Sequence, residues 1–322
     1  MVNYTLIYDR NVWNEEIIKN ENCNPYQMFD WGLYKSKFGW KVASIKANEE
    51  GKTSYFQITY KVRLNIFFGF CVGSISGDIG AFRKSEFLEY IKAKLSVKYV
   101  FIKGSFINKL NFNESLSLYS SGWKRSEAKL NSGYTIFVDL KKSEDNILTS
   151  CSSNFKRNIK RGKAKNHKIK IQKLSEFDIK DVGMLFDRFG RIKDAPLPSG
   201  RELDGIKANL SSNIIIASSM IDDEVVGLRA FFHHGDKALD FWAATDLVGR
   251  KNYTSFVLLF ELLVKAKQMG IETYDMSGID PLNNPTVYGF KNGLRADNVE
   301  QLGTWDLSNS KIISFFVNRV YL

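Results

Sequence analysis

Residues 213–246, "NIIIASSMIDDEVVGLRAFFHHGDKALDFWAATD", decide how this chain is read. Three runs stand out in it, at 213–221, 224–234 and 238–246, each rich in β-branched or aromatic side chains and bounded by turn residues. Such runs predict consecutive strands. Downstream, "NYTSFVLLFELLVKAKQMG" (252–270) predicts a helix with Gly270 as its C-cap, and "ETYDMSG" (272–278) a closing strand. The first half of the chain has the same order. Strands are expected at 40–47, 54–64 and 66–75, an amphipathic helix at 84–97 with Phe87, Leu88, Ile91 and Leu95 on one face, and a strand at 98–106. The duplication predicts a mixed α/β fold in two domains, with the boundary near residue 142: 1–142, then 143–303. A helix is expected from Ser143 into the basic stretch that follows, and the tail 304–322 is expected to dock on the first domain.

The totals agree with a sizeable globular core. The chain has 322 residues, 44% hydrophobic and 25% charged, enough for one large or two medium domains. No apolar run reaches the roughly 20 residues of a membrane span. "MVNYTLIYDRNVWNEE" lacks a basic segment followed by an apolar one, so no secretory signal is expected. Cys23, Cys71 and Cys151 are odd in number and far apart, which fits neither a disulfide framework nor a zinc site and suggests the cytoplasm. His233 and His234 adjoin on a strand, point to opposite faces and cannot chelate together. "GSISGDIG" lacks the Lys-Ser/Thr of a phosphate-binding P-loop and is read as a turn.

Net charge is +11, and residues 154–170 hold eight Lys or Arg and no acid. A block of that kind is either a solvated helix face or a polyanion site. Near the C-terminus, "PTVYGFKNGLRAD" (285–297) sets Tyr288, Phe290 and Lys291 close behind Asp275 and Asp280. Asp275 stands at a strand end, where α/β sites gather, and could cap the next turn through Ser277 and Gly278 or orient Lys291.

Four stretches, in their order, resemble the FemABX aminoacyltransferases: "YQMFDWGLYKSKFGWKV" (26–42), "FCVGSISGDI" (70–79) with the following helix, "NFKRNIKRGKAKNHKIKI" (154–171), and "GIETYDMSGIDP" followed by "VYGFKNGLRADNVEQLGTWDL". The resemblance extends over nearly the whole chain. It implies two tandem GNAT-like domains with a cleft between them, in the compact version that lacks a helical-hairpin (coiled-coil) arm. Two motifs depart from the family. Its Arg-Gly-Pro reads Val72-Gly73-Ser74 here and its Asp-Pro reads Lys103-Gly104-Ser105, which leaves the acceptor open.

The activity implied is transfer of an aminoacyl group from aminoacyl-tRNA to an amine of a nucleotide-linked or lipid-linked cell-envelope precursor such as that of peptidoglycan, in the cytoplasm. The alternative is an N-acyltransferase that draws on acyl-CoA or an acyl carrier and modifies an amino sugar of a surface polysaccharide. "DLVGRKNYTSF" (246–256) lacks the glycine spacing of the usual CoA loop. No cofactor or metal is expected besides the donor. The resemblance assigns oxyanion or phosphate stabilisation to Lys291, with Phe290 as its partner and Asp275 in support. Lys35 resembles the family lysine that grips the acceptor's phosphate; Trp31 shares its helix face and either joins it in binding or, the favoured reading, packs in the core. Trp242 either lines the cleft or fills core, Tyr288 is a further binding candidate, and a guanidinium clamp falls to Arg191 in preference to Arg188. Lys160, Arg161 and Lys163 are assigned to the donor's polyanion. Peripheral contact of the tail with the inner face of the membrane is the alternative to docking.

Overall fold

The computed structural model describes residues 1–20, 24–190 and 197–321. The chain divides into two compact units, Met1–Tyr134 with Val299–Leu322, and Thr135–Asn298.

The first unit opens with β1 (Asn3–Leu6), α1 (Arg10–Ile18), α2 (Phe29–Ser36), β2 (Lys41–Glu49), β3 (Lys52–Arg63) and β4 (Ile66–Gly73). It continues with α3 (Lys84–Leu95), β5 (Tyr99–Lys109), α4 (Phe112–Ser120) and β6 (Lys124–Arg125). β1 to β4 pair antiparallel in sequence order. β4 then pairs in parallel with β5 along its whole length, Ile66 opposite Tyr99 to Gly73 opposite Phe106. Helix α3 forms because Phe87, Leu88 and Ile91 fall on one face and bury against the sheet, and Ser96 in the left-handed region ends it. The core is strongly aromatic: Phe56, Phe82, Phe87, Phe106 and Trp123 touch one another edge-on or tilted, geometries that π quadrupoles favour.

The second unit holds β7 (Tyr134–Asp139), α5 (Glu144–Ser150), α6 (Ser153–Lys163), β8 (Lys168–Lys173), α7 (Ile179–Gly190), α8 (Gly200–Leu210), β9 (Ile214–Ile221), β10 (Glu224–His234) and β11 (Lys237–Thr245). After them come α9 (Leu247–Lys251), α10 (Thr254–Gln268), β12 (Thr273–Asp275) and α11 (Pro285–Asn292). β8 to β11 are antiparallel neighbours. β12 runs parallel to β11 and antiparallel to β7. That last pairing is why the boundary moves from residue 142 to 134/135: β7 completes the second sheet. The single helix expected from Ser143 is two. Cys151 and Ser152 are extended, and Ser152 caps α6 by accepting from the Phe155 amide. The helix expected at 252–270 also starts later. Tyr253 in the left-handed region separates α9 from α10, while Gly270, at φ +79°, ends α10 as a glycine C-cap does.

β13 (Asp297–Ser308) and α12 (Lys311–Tyr321) complete the chain. β13 pairs with β5 and β6. A buried polar knot anchors α12: Lys103 donates to Asn318 at 2.7 Å, Asn318 donates to Asp306 at 2.8 Å, and Lys103 and Asp306 form an ion pair at 2.9 Å.

Candidate functional site

The second unit's parallel pair is short. β12 registers with only Lys237, Ala238 and Leu239 of β11. β11 runs on to Thr245 with no partner from β12, and a cavity of about 600 Å³ opens there. Asp240, Ala243 and Thr245 line it from β11, and Thr254, Ser255 and Phe256 from the first turn of α10. Phe155 of α6 and Phe290 and Lys291 of α11 complete the wall, with Arg250, Tyr253 and Phe189 also in the lining.

Lys291 is buried. Its Nζ donates to the carbonyls of Met276 at 2.6 Å, Gly278 at 3.0 Å and Ser277 at 3.4 Å. Three carbonyls can converge because Ser277 sits at φ +60° and turns the chain sharply after β12. Burial pushes the ammonium below its usual range; the Asp240 carboxylate opposes that, Arg229 adds to it, and Asp275 opposes it more weakly.

Asp275 accepts from the Ser277 amide at 2.8 Å and from the Thr135 hydroxyl, so it holds the same turn from the other side. Burial lifts its carboxyl to about 6, against the pull of those two hydrogen bonds and of Lys291.

Arg229 and Asp240 are buried and paired bidentately, Nε to Oδ1 at 2.8 Å and Nη2 to Oδ2 at 2.6 Å. The Tyr274 hydroxyl donates to Asp240 at 3.3 Å, and the guanidinium lies 5.5 Å from the Phe290 ring centre. Phe290, Phe155 and Phe256 meet pairwise at 5.0–5.7 Å. The wall of the cavity thus sets an apolar ring cluster beside Lys291 and the Arg229–Asp240 pair, with Asp275 behind the turn. Paired charges and fixed carbonyls give a preorganised setting in which a developing charge feels fixed dipoles strongly.

No family model and no curated protein matches the sequence. Solved structures do match. A FemX crystal structure superposes with a TM-score of 0.80 at 12% identity, covering 98% of this chain and all of that one. The fold is that of FemX. The C-terminal domain (DUF2156) of a putative lysylphosphatidylglycerol synthetase from Agrobacterium fabrum gives 0.59 at 12% identity, with 94% of both chains covered. A tandem GNAT protein from the clavulanic acid biosynthesis pathway gives 0.55 at 8% identity, over 96% of this chain and 99% of its own. The two units are accordingly GNAT-like.

In this FemX-like fold the residues singled out from the sequence are dispersed. Phe290 and Lys291 line the cavity and Asp275 supports the turn behind them. Tyr288 packs on the second unit's core and Trp242 edge-on against Phe186 of α7, so neither is among the lining residues. Arg161 donates to the hydroxyl of Tyr253, a lining residue, at 3.3 Å. Lys163 instead pairs with Glu261 at 2.9 Å and Lys160 is exposed. In the first unit, the Lys35 ammonium lies 5.0 Å from the ring centre of Trp31, which meets Tyr26 and Tyr34. Arg191 lies outside the described residues; Arg188 is engaged by Glu224 at 3.1 Å and by the Val225 carbonyl.

The sequence reading missed Arg229 and Asp240. Their signal was present: each is an ionisable residue inside an otherwise apolar strand run, and a buried strand tolerates a charge only where it is paired.

Proposed function

We propose that this protein is an acyltransferase that moves an aminoacyl group from aminoacyl-tRNA to an amine of a cell-envelope precursor, nucleotide-linked or lipid-linked, on the cytoplasmic side. The observation that carries this reading is the buried Lys291 in the wall of a cavity opened by the splayed strands β11 and β12. In the reaction the acceptor nitrogen attacks the ester carbonyl, forming the C–N bond while the carbonyl electron pair moves onto oxygen. Collapse of that oxyanion breaks the bond to the ribose oxygen, which leaves as a hydroxyl carrying the proton the amine gives up.

Lys291 supplies positive charge to the oxyanion. Its weakest contact, 3.4 Å to the Ser277 carbonyl, is the one the oxyanion replaces. Asp275 keeps the turn in place, and the Phe290 cluster keeps water from the ester. The exposed basic face of α6, with Lys160 and Arg161, supports a polyanionic donor. A second reading, with acyl-CoA as donor, has one observation in its favour: the first turn of α10 and Arg250 line the cavity, and a helix N-terminus with a guanidinium suits a diphosphate.

Equilibrium binding to charged tRNA and to acyl-CoA, each across a salt series, separates the two readings. Replacing Lys160, Arg161 and Lys163 together by Ala should weaken tRNA binding and flatten its salt dependence, since each lost phosphate contact lowers the slope by about 0.7–0.9. An unchanged slope with tight acyl-CoA binding would transfer the assignment to CoA.

A further inference from the structure

At one end of the first unit, apolar and basic groups face outward together. On α12, Ile312, Phe315 and Phe316 are 70%, 55% and 63% exposed. They stand at positions i, i+3 and i+4 of one face, while Asn318 on the other face is anchored in the buried knot with Lys103 and Asp306. Ile313 and Val317 share the docked side with Asn318 and are half-buried, so Ile312, Phe315 and Phe316 form a second apolar face that the first unit leaves uncovered.

A second feature lies beside it. The β3–β4 hairpin turns at Leu64 and Asn65, both in the left-handed region, and Leu64 is 93% exposed. A turn with two such residues favours Asn-Gly, so a bare leucine at its tip serves neither the turn nor the core. The tip and the helix belong to one edge. The Asn65 carbonyl accepts from the Lys98 amide at 3.0 Å, and Asn309, two residues before α12, donates its side-chain amide to the Lys98 carbonyl at 3.1 Å. Segments 61–66, 96–100 and 308–319 contain Arg63, Lys98, Lys311 and Arg319 among their cations and no Asp or Glu.

We infer that this edge is a docking surface for an anionic lipid bilayer, with Leu64 and the Phe315–Phe316 face of α12 entering the headgroup boundary and the flanking cations meeting lipid phosphates. No helix among the described residues is long and apolar enough to cross a membrane, so the contact is interfacial. The charge of the edge selects this occupant, because apolar tips flanked by cations alone match an anionic headgroup layer. The inference is independent of the proposed acyl transfer, and its test uses neither donor nor acceptor.

The full chain is sedimented with vesicles of phosphatidylglycerol mixed with phosphatidylcholine, and with phosphatidylcholine alone. Binding is expected to the anionic vesicles only and to fall with salt. Joint Phe315→Ser and Phe316→Ser substitution should lower partitioning about tenfold or more. Leu64→Asn should lower it by about threefold or more while keeping or raising the melting temperature, because Asn suits the turn. A Leu64→Asn protein that is stable and binds undiminished, or absence of binding to either vesicle, overturns the inference. So does a lipid-free dimer that the two serine substitutions dissolve, since a second copy of the chain would then cover the face.

Discussion

The two units share one strand order and differ at one joint. In the first, β4 and β5 stay paired over the eight positions from Ile66 to Gly73, and the sheet stays closed. In the second, the corresponding β11 and β12 share three positions before they part, and the cavity lies where β11 continues alone. Each unit also buries one cross-strand ion pair, Lys103–Asp306 in the first and Arg229–Asp240 in the second. The first locks a helix in place; the second lines the cavity wall. A duplicated fold thus yields a site only where parallel pairing stops early enough to leave side chains and a helix N-terminus facing open space.

The sharpest way to break this comparison is to disrupt each pair. Asp240→Asn strands the buried Arg229, and Asp306→Asn strands Lys103; each should cost about 3–5 kcal/mol in chemical denaturation. Apolar double replacements should restore stability in both units, since a buried pair gains little over packed hydrophobes. Turnover should return only for Lys103→Met with Asp306→Leu. Recovery of full turnover by Arg229→Met with Asp240→Leu would reduce both pairs to scaffolding.

Lys291→Ala comes next. Single-turnover transfer at saturating donor should fall on the order of 100-fold or more, with donor binding little changed, as expected when a contact strengthens in the transition state. Lys291→Arg should rescue poorly, because a planar guanidinium cannot take the ammonium's place among three carbonyls. A melting curve separates chemistry from loss of the 276–278 turn, and normal single-turnover rates in a folded variant would leave Lys291 as a turn anchor.

A smaller effect concerns pH and sets the second unit apart from the first. The folded Asp275 carboxyl titrates near 6 against about 3.9 in an unfolded chain, so between those values the folded state holds a proton that the unfolded state has released. This group therefore favours folding at low pH, and stability should decline by about 2 kcal/mol as pH rises from 4 through 6. Asp275→Asn should flatten that part of the stability profile, measured by denaturation at pH 4.5 and 7. An identical slope in the variant would assign the pH dependence elsewhere.

Much of the molecule could be read from its residues one after another. Period-two and period-3.6 patterns, read with turn residues, located the duplicated strands and the helix closed by Gly270, because those signals are local. The Phe290-Lys291 segment was legible as a candidate through its resemblance to the FemABX closing signature. Local pattern could not separate α5 from α6, since a serine cap interrupts a run whose composition stays helical. It left Trp242 open between a cleft wall and core packing and named Tyr288 as a binding candidate; Trp242 meets Phe186 edge-on and Tyr288 packs on the core. What a large aromatic side chain meets depends on elements distant in sequence.

The sequence by itself determined the duplicated strands, their doubled order and the concentration of positive charge on α6, since propensity, periodicity and charge reside in neighbouring residues. Only the tertiary structure decided where β12 leaves β11, that Arg229 and Asp240 face one another, and that three carbonyls surround Lys291. Those facts depend on strand register and on one left-handed residue, Ser277, and a one-residue change of register would turn Arg229 or Asp240 to the opposite face.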